Sequence, residues 1–283
     1  MNELLQSLNP NEAEKFLREF MGRRFIIKCG GSLLEDAAAG AGILDDVALL
    51  KKEGIKPALV HGGSVQADCE MEAAGIRPRR YKGLRITDEQ TIEILDRCFG
   101  ELNLKIVDSL RERGVGAVGF SGSRGGLIRG GRMRPDGVDI GLVGDVTGID
   151  RAAWESAGDK IPVVASLGVD EDGRTLNINA DYVATQLALL TAADKLILMT
   201  DVDGVMLDPS KPETLIPTLT VGRARKLIEE GAVSRGMIPK IESAVRAVEQ
   251  GLPKIHLING RTPHSLLYEI FTEQGIGTQI IRE

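Results

Sequence analysis

The sequence predicts an α/β protein: a three-layer αβα sandwich around a mostly parallel central sheet, with two lobes sharing that sheet. Three observations carry the prediction. Short, continuously apolar runs recur, FIIK, KPALV, IPVVASL and KLILMT, as expected of strands buried on both faces. Stretches with helical patterning separate the runs, which is the alternation of a parallel sheet. Glycines gather where the first two runs end, supplying turns between strand and helix.

At the N-terminus, Asn9 and Pro10 with Glu12 form a helix-start signal: a capping side chain, a fixed φ and an acid that can reach back. A helix is expected from about Pro10 to Met21; it precedes the first strand and so can lie outside the main core. FIIK then leads through glycines to the helix ILDDVALLKKEG, and KPALV leads through a second glycine pair to the helix SVQADCEMEAAG. The pieces RRYKGLRITD, GGLIRGGRMRP and GVDIGLVGDVTGID are glycine-rich and alternate in polarity, which predicts edge ribbons or lids. Past Ala180 a helix through TQLALLTAA runs into the strand KLILMT. The final third repeats the alternation with VGRARKLIEEG, IPKIESAVRAVEQG, KIHLING, LLYEIFTEQG and the strand GTQII. The expected division is an N-terminal helix at 1–24 and lobes at 25–190 and 191–283.

Composition narrows the function. A chain of 283 residues can bury a real core, and 42% hydrophobic with 27% charged residues is the balance of a globular protein. A net charge of -6 argues against a nucleic-acid surface, so any anion must be held by a few placed cations and backbone N–H groups. Cys29, Cys69 and Cys98 form no paired motif, which favours a reducing compartment over a disulfide framework. No basic segment leads into a long apolar run, and Asp194 and Lys195 interrupt the most apolar stretch, so neither a signal peptide nor a membrane span is expected. The expected location is cytoplasmic.

The chemistry-bearing residues are few. A G-x-G-x-x-G match at 114–119 follows a helix and leads into a strand, the reverse of a dinucleotide site, so it reads as a turn. Gly30 and Gly31, and again Gly62 and Gly63, do have the productive order: strand, glycine pair, helix N-terminus. Such a pair is either an ordinary turn or a cradle for phosphate or carboxylate. Lys28 closes the first apolar strand, and Lys240 opens a helix after Pro239; each is a solvated lysine or a placed charge. Arg85 precedes a helix start at Thr87 or Asp88, where a planar guanidinium suits a carboxylate. Asn177, Asn179 and Asp181 alternate along an extended piece, which puts them on one face, although each could also cap the following helix. His61, His256 and His264 lack metal-ligand spacing, no metal site is expected, and no serine-hydrolase elbow is present.

Taken in order, FIIKCGGS, VHGGS, YKGLRITDEQT, AVGFSGSRGGLI, LVGDVTGID, TLNINADYVAT, LILMTDVDGVM, GMIPKIESAV and GRTPHSLLYEIFTEQGIGTQI resemble the acetylglutamate kinases of the amino-acid kinase family. The resemblance spans about Phe25 to Ile281, and its specificity lies in the ordered set. It implies transfer of the ATP γ-phosphoryl group, with Mg2+, to the side-chain carboxylate of N-acetyl-L-glutamate, a step of arginine biosynthesis. It implies that Lys28 and Lys240 neutralise the moving phosphoryl group, with Asp181 holding both, and that Gly30, Gly31, Gly62 and Gly63 form its cradle. Arg85, Asn177 and Asn179 would bind the acceptor in the first lobe. Asp201, Val202, Asp203, Gly204, Val205 and Met206, with Ala232, Val233 and Ser234, would bind nucleotide in the second.

The resemblance also implies arginine inhibition, with His264, Glu269, Gly275 and Gly277 around the effector and N-terminal helices interlacing dimers into a trimer of dimers. The chain departs from the family pattern at Ser64 and Val65, where a glycine and a proline are usual, and at Ser123 and Arg124, where Lys-Asp is usual. Acceptor choice is therefore less fixed than reaction type. A carrier-linked aminoadipate kinase of lysine synthesis and a non-catalytic arginine sensor are the alternatives.

Overall fold

The computed structural model describes residues 10–122, 124–208, 210–233 and 237–283. Helix α1 (Pro10–Phe20) precedes β1 (Arg24–Cys29), the short α2 (Gly31–Glu35) and α3 (Ala37–Lys52). Strand β2 (Lys56–His61) is followed by α4 (Ser64–Ala73), the hairpin β3 (Arg80–Tyr81) and β4 (Leu84–Arg85), and the long α5 (Glu89–Glu112). Next come β5 (Ala117–Phe120), β6 (Ile128–Arg132), β7 (Gly144–Ile149), α6 (Arg151–Ser156), β8 (Ile161–Ala165), β9 (Leu167–Val169) and β10 (Thr175–Asn177). The remainder is α7 (Ala180–Leu190), β11 (Lys195–Thr200), β12 (Thr218–Thr220), α8 (Val221–Glu229), α9 (Ile238–Glu249), β13 (Lys254–Asn259), α10 (Ser265–Phe271) and β14 (Thr278–Ile281).

Eight strands make one sheet in the order β12-β14-β13-β11-β1-β2-β8-β5. All its neighbours are parallel except β13 and β14. The sheet is continuous across the proposed boundary near 190, because β1 pairs with β2 on one side and β11 on the other. Apolar residues divide between its faces with the period of two that a pleated strand dictates. In β1, Phe25, Ile27 and Cys29 join the core under α1, α3 and α10, while Ile26 faces the core under α4, α7 and α9. Lys28 has the parity of Ile26, so the strand's own alternation aims it at the α7 side. The glycine-rich pieces build a second, four-stranded sheet, β10-β9-β6-β7, and the separate β3-β4 hairpin.

Two expectations need correction. Helix α1 is not outside the core: Ala13 and Phe20 are buried, Phe16 stacks on Phe20 at 5.6 Å, and Phe20 meets Phe25 edge-on at 5.3 Å. Its apolar positions are spaced three and four apart, so one face docks as any amphipathic helix would. The expected cap at Asn9 lies outside the described residues. The extended run expected through Asp181 ends earlier, because β10 stops at Asn177 and the Asn179 side chain accepts the Tyr182 N–H at 3.1 Å, starting α7 at Ala180.

Candidate active site

Parallel pairing brings the C-terminal ends of β1, β2, β8 and β11 to one edge of the sheet, the usual place for a ligand in an open α/β sheet. A cleft of about 300 Å³ opens there, lined by both glycine turns, the β3-β4 hairpin and the start of α7. A neighbouring cleft of about 180 Å³ lies toward β11 and α9. Lys28, Gly30, Ser32 and Asp181 line both, and Lys240 lines the second, so the two lysines converge on one crevice from opposite halves of the chain.

The glycines divide into two jobs. A Cβ on Gly31 would stand 2.9 Å from Gly63 Cα, and one on Gly63 would stand 2.7 Å from Phe99 Cδ1, so these two let the turns and α5 close on each other. Gly30 and Gly62 have room for a Cβ, with nearest atoms at 3.8 and 3.7 Å, and they line the larger cleft. Their bare backbone leaves that room to a ligand. Helix α4 starts behind Gly63 with no side-chain cap, and Ser64 and Val65 at its first turn line the same cleft. Uncapped N–H groups at a helix start favour an anion.

Lys28 Nζ lies 2.9 Å from Asp181 Oδ1, with both side chains largely covered. Asp181 does not hold both lysines as expected: Lys240 Nζ instead pairs with Asp201 Oδ1 at 3.4 Å. The reason is placement, since Asp181 lies in the first turn of α7, next to β1, whereas Asp201 follows the last residue of β11 and faces the start of α9. The Asp201 carboxyl is held below its usual range by a backbone hydrogen bond first and then by the Lys240 charge.

Arg85 is buried, and its guanidinium donates to the Asp68 carboxylate, to the Ser64 carbonyl at 3.1 Å and to Met71 Sδ at 3.2 Å. These three bonds use donors on Nη1 and Nη2, and among the described residues they leave the fork formed by Nε and the other Nη2 hydrogen to face a ligand. Arg80 reaches the same Asp68 at 2.8 Å, and both arginines line the larger cleft. Asn177 Nδ2 donates to Thr87 Oγ1 at 3.1 Å, which aims the asparagine, and Asn179 also lines the cleft. Asp68 was missed from sequence, although it lies four residues after Ser64 and therefore on the same helix face.

The segment after β11 is a turn pinned from behind. Val202 N donates to Thr200 Oγ1 at 3.0 Å, Asp203 Oδ1 accepts from Asn259 at 2.8 Å, and Val205 N donates to Thr278 Oγ1 at 2.8 Å. A Cβ on Gly204, whose φ is 148°, would meet Thr278 Oγ1 at 2.6 Å. Met206 bridges to Leu215. Val233 is buried in the core and Ala232 packs against it, so a ligand there would meet backbone more than these side chains. Ser234 and Ser123 lie outside the described residues. Among the described residues no group of three His, Cys, Asp or Glu could hold a metal ion.

A separate cleft of about 420 Å³ lies between α1, α10 and the ends of β12, β13 and β14. Glu269, Gly275 and Gly277 line it with Phe16, Lys195 and His256. Burial alone would raise the Glu269 carboxyl, but the His256 hydrogen bond at 2.6 Å and the Ile276 and Gly277 N–H groups hold it below the usual range. Burial pushes Lys195, seated 4.4 Å from the Phe20 ring, down to about 8. His264 does not line this cleft as expected; with φ 55° it starts α10 and bonds Asp46 on α3 at 2.7 Å.

A model of the amino acid kinase family matches residues 23–259. The acetylglutamate kinase of Methanocaldococcus jannaschii is 43% identical, with 96% of this chain and 95% of that protein covered. The N-acetylglutamate synthase of Neisseria gonorrhoeae, complexed with coenzyme A and N-acetyl-glutamate, is similar in structure with a TM-score of 0.85 and 29% identity. That match covers 96% of this chain, which spans only 62% of the synthase. The same synthase complexed with coenzyme A and L-arginine gives a TM-score of 0.79 at 28% identity, covering 96% and 64%. No helix among the described residues is long and apolar enough to cross a membrane.

Proposed function

We propose, for a chain that belongs to the amino acid kinase family, that its reaction is transfer of the ATP γ-phosphoryl group to the side-chain carboxylate of N-acetyl-L-glutamate. The observation that carries this reading is the convergence of Lys28 and Lys240 on one crevice beside two ligand-accessible glycines. In the proposed reaction a carboxylate oxygen of the acceptor attacks Pγ in line, the bond from Pγ to the β,γ-bridging oxygen breaks, and ADP leaves. The acceptor carboxyl is already ionised at neutral pH, so the step needs no general base. What it needs is alignment and cancellation of charge. Lys28, oriented by Asp181, and Lys240, oriented by Asp201, supply the positive charge. The open sides of Gly30 and Gly62 receive the phosphoryl oxygens, while Gly31 and Gly63 hold the two turns together.

Arg85 grips the acceptor's α-carboxylate with its remaining fork, and Asn177 and Asn179 hold its polar groups. The acceptor thus sits in the lobe at 25–190, and ATP lies against the 201–206 turn and residues 232–233 in the lobe at 191–283. Mg2+, when carried in on ATP, would supply charge neutralisation at the phosphates. Asp181 and Asp201 are the carboxylates nearest that crevice, and each is engaged by a lysine. Acetylglutamate-dependent ADP release, with the acyl phosphate trapped by hydroxylamine, tests the reading. Release with a carrier-linked aminoadipate in its place would move the acceptor, and no release with either would leave a sensor.

Regulation by arginine is the second part of the proposal. The α1 cleft presents Glu269 and Glu273 against Lys195, Lys254 and a buried histidine, the mixed charges that a zwitterion with a cationic side chain requires. Arginine binding by calorimetry, lost in Glu269→Gln, checks it. The proposed assembly, dimers joined in threes through α1, predicts a mass near six 30.4 kDa chains by light scattering; a single-chain mass would reject it.

A further inference from the structure

We propose that Asn103 and His61 are positioning residues, which orient the Gly62–Gly63 peptide of the phosphoryl cradle through one fixed histidine tautomer. The inference deepens the kinase reading, since it assigns work to two side chains that touch no substrate.

The argument is a proton count. Asn103, on α5, places its amide nitrogen 3.0 Å from the Val163 carbonyl, 3.4 Å from the Phe120 carbonyl and 3.0 Å from His61 Nε2. Backbone carbonyls only accept, so the group facing them must be the NH2 and not the amide oxygen. One of its two hydrogens serves the Val163 carbonyl at 3.0 Å, with the longer Phe120 contact at 3.4 Å sharing a hydrogen, and the other faces His61 Nε2 at 3.0 Å; an amide nitrogen cannot accept, so Nε2 must carry a lone pair. A neutral ring with Nε2 bare holds its proton on Nδ1, and Nδ1 lies 3.1 Å from the Gly62 carbonyl. The ring thus donates to Gly62 and ties that carbonyl down. In a planar trans peptide the Gly63 N–H points opposite to the Gly62 C=O, so fixing one fixes the other.

Three further observations fit. His61 is fully buried, so the ring acts through Gly62 and not on a ligand. Burial pulls its pKa down to about 4, which keeps it neutral at working pH. Gly119 on β5 reserves the space for Asn103, because a Cβ there would stand 2.0 Å from Asn103 Oδ1. Any satisfied core histidine holds one tautomer; what sets His61 apart is that the carbonyl it donates to, Gly62, belongs to the cradle.

Long-range proton–nitrogen spectra of the full-length ¹⁵N-labelled protein read the tautomer directly, with His61 assigned by the signal missing from His61→Gln. The wild type is expected to show the Nδ1–H form. Asn103→Asp puts an acceptor at Nε2 and is expected to move the proton there, lowering kcat by roughly ten- to a hundredfold. The acetylglutamate KM should stay within about twofold, since Arg85 and Asn177 are untouched. Asn103→Ala, which removes the donor without adding charge, should show both tautomers and a smaller loss, and it decides the matter if the aspartate variant does not fold. An Nε2–H wild type, or a variant with a switched tautomer and full kcat, overturns the proposal. A wild type inert toward acetylglutamate would sink the acetylglutamate reading instead. ATP affinity by calorimetry, expected to drop about fivefold or more in the variants, would then decide the positioning role.

Discussion

Lys28→Met offers the sharpest test of the crevice, because methionine keeps the length of the side chain and removes only its charge. The lysine sits 2.9 Å from Asp181 Oδ1, with side chains 16% and 28% exposed, so neither charge is fully screened by water. A unit charge about 4 Å from one phosphoryl charge is worth about 4 kcal/mol at an effective dielectric near 20. That is a ceiling of roughly a thousandfold in rate, and partial exposure reduces it, so kcat is expected to fall by about 10² to 10³. The variant also leaves the Asp181 carboxylate facing the incoming phosphates, so part of the loss would be new repulsion. The double variant Lys28→Met with Asp181→Asn removes that repulsion; it should recover ATP affinity and leave kcat low. Initial rates of coupled ADP release, with ATP and acetylglutamate varied in turn, give both constants. A single variant with kcat within about threefold of wild type would refute the electrostatic argument. Lys240→Met, whose partner Asp201 is 67% exposed, should lose less, about 10².

The two glycine jobs predict opposite failures. Gly31→Ala drives a methyl to 2.9 Å from Gly63 Cα and should lower stability by about 1–3 kcal/mol, seen as a reduced Tm. Gly30→Ala meets nothing closer than Ser32 Oγ at 3.8 Å, so it should melt normally while raising the KM for ATP; equal melting of the two variants would contradict the assignment. His61 predicts an acid-sensitive stability. Its folded pKa of about 4 lies below the ordinary 6.5, so between those values the unfolded chain takes up a proton that the folded chain refuses. This contribution is complete above pH 6.5 and is lost as pH falls through 4, a change on the order of 3 kcal/mol. Urea unfolding at pH 7 and pH 4.5 should show it in the wild type and not in His61→Gln; an unchanged slope in the variant would reject it.

The sheet and most of its helices were legible because buried parallel strands write themselves as uninterrupted apolar runs, and β1, β2, β8 and β11 do so. Lys28 was legible for the same reason, as a charge where the run demands none. Local pattern could not distinguish a cap from a ligand at Asn179, because the same side chain can face a cleft and accept the Tyr182 N–H. It could not pair charges across the chain either. That Asp201 and not Asp181 takes Lys240, that Asp68 joins two arginines, and that His264 turns to Asp46 are facts of tertiary placement. Helix α1 was free to lie outside the core on sequence grounds, because its position before the first strand says nothing about where its Phe16 and Phe20 dock.

Strand β14 is wedged between β12 and β13, parallel to one and antiparallel to the other. During synthesis β12 therefore leaves the ribosome about sixty residues before β14, the strand it pairs with among the described residues, 218–220 against 279–281, and waits without that partner. Nascent chains stalled short of residue 278 should keep that margin open to protease, and a chaperone that shields it would matter more for this edge than for the rest of the sheet.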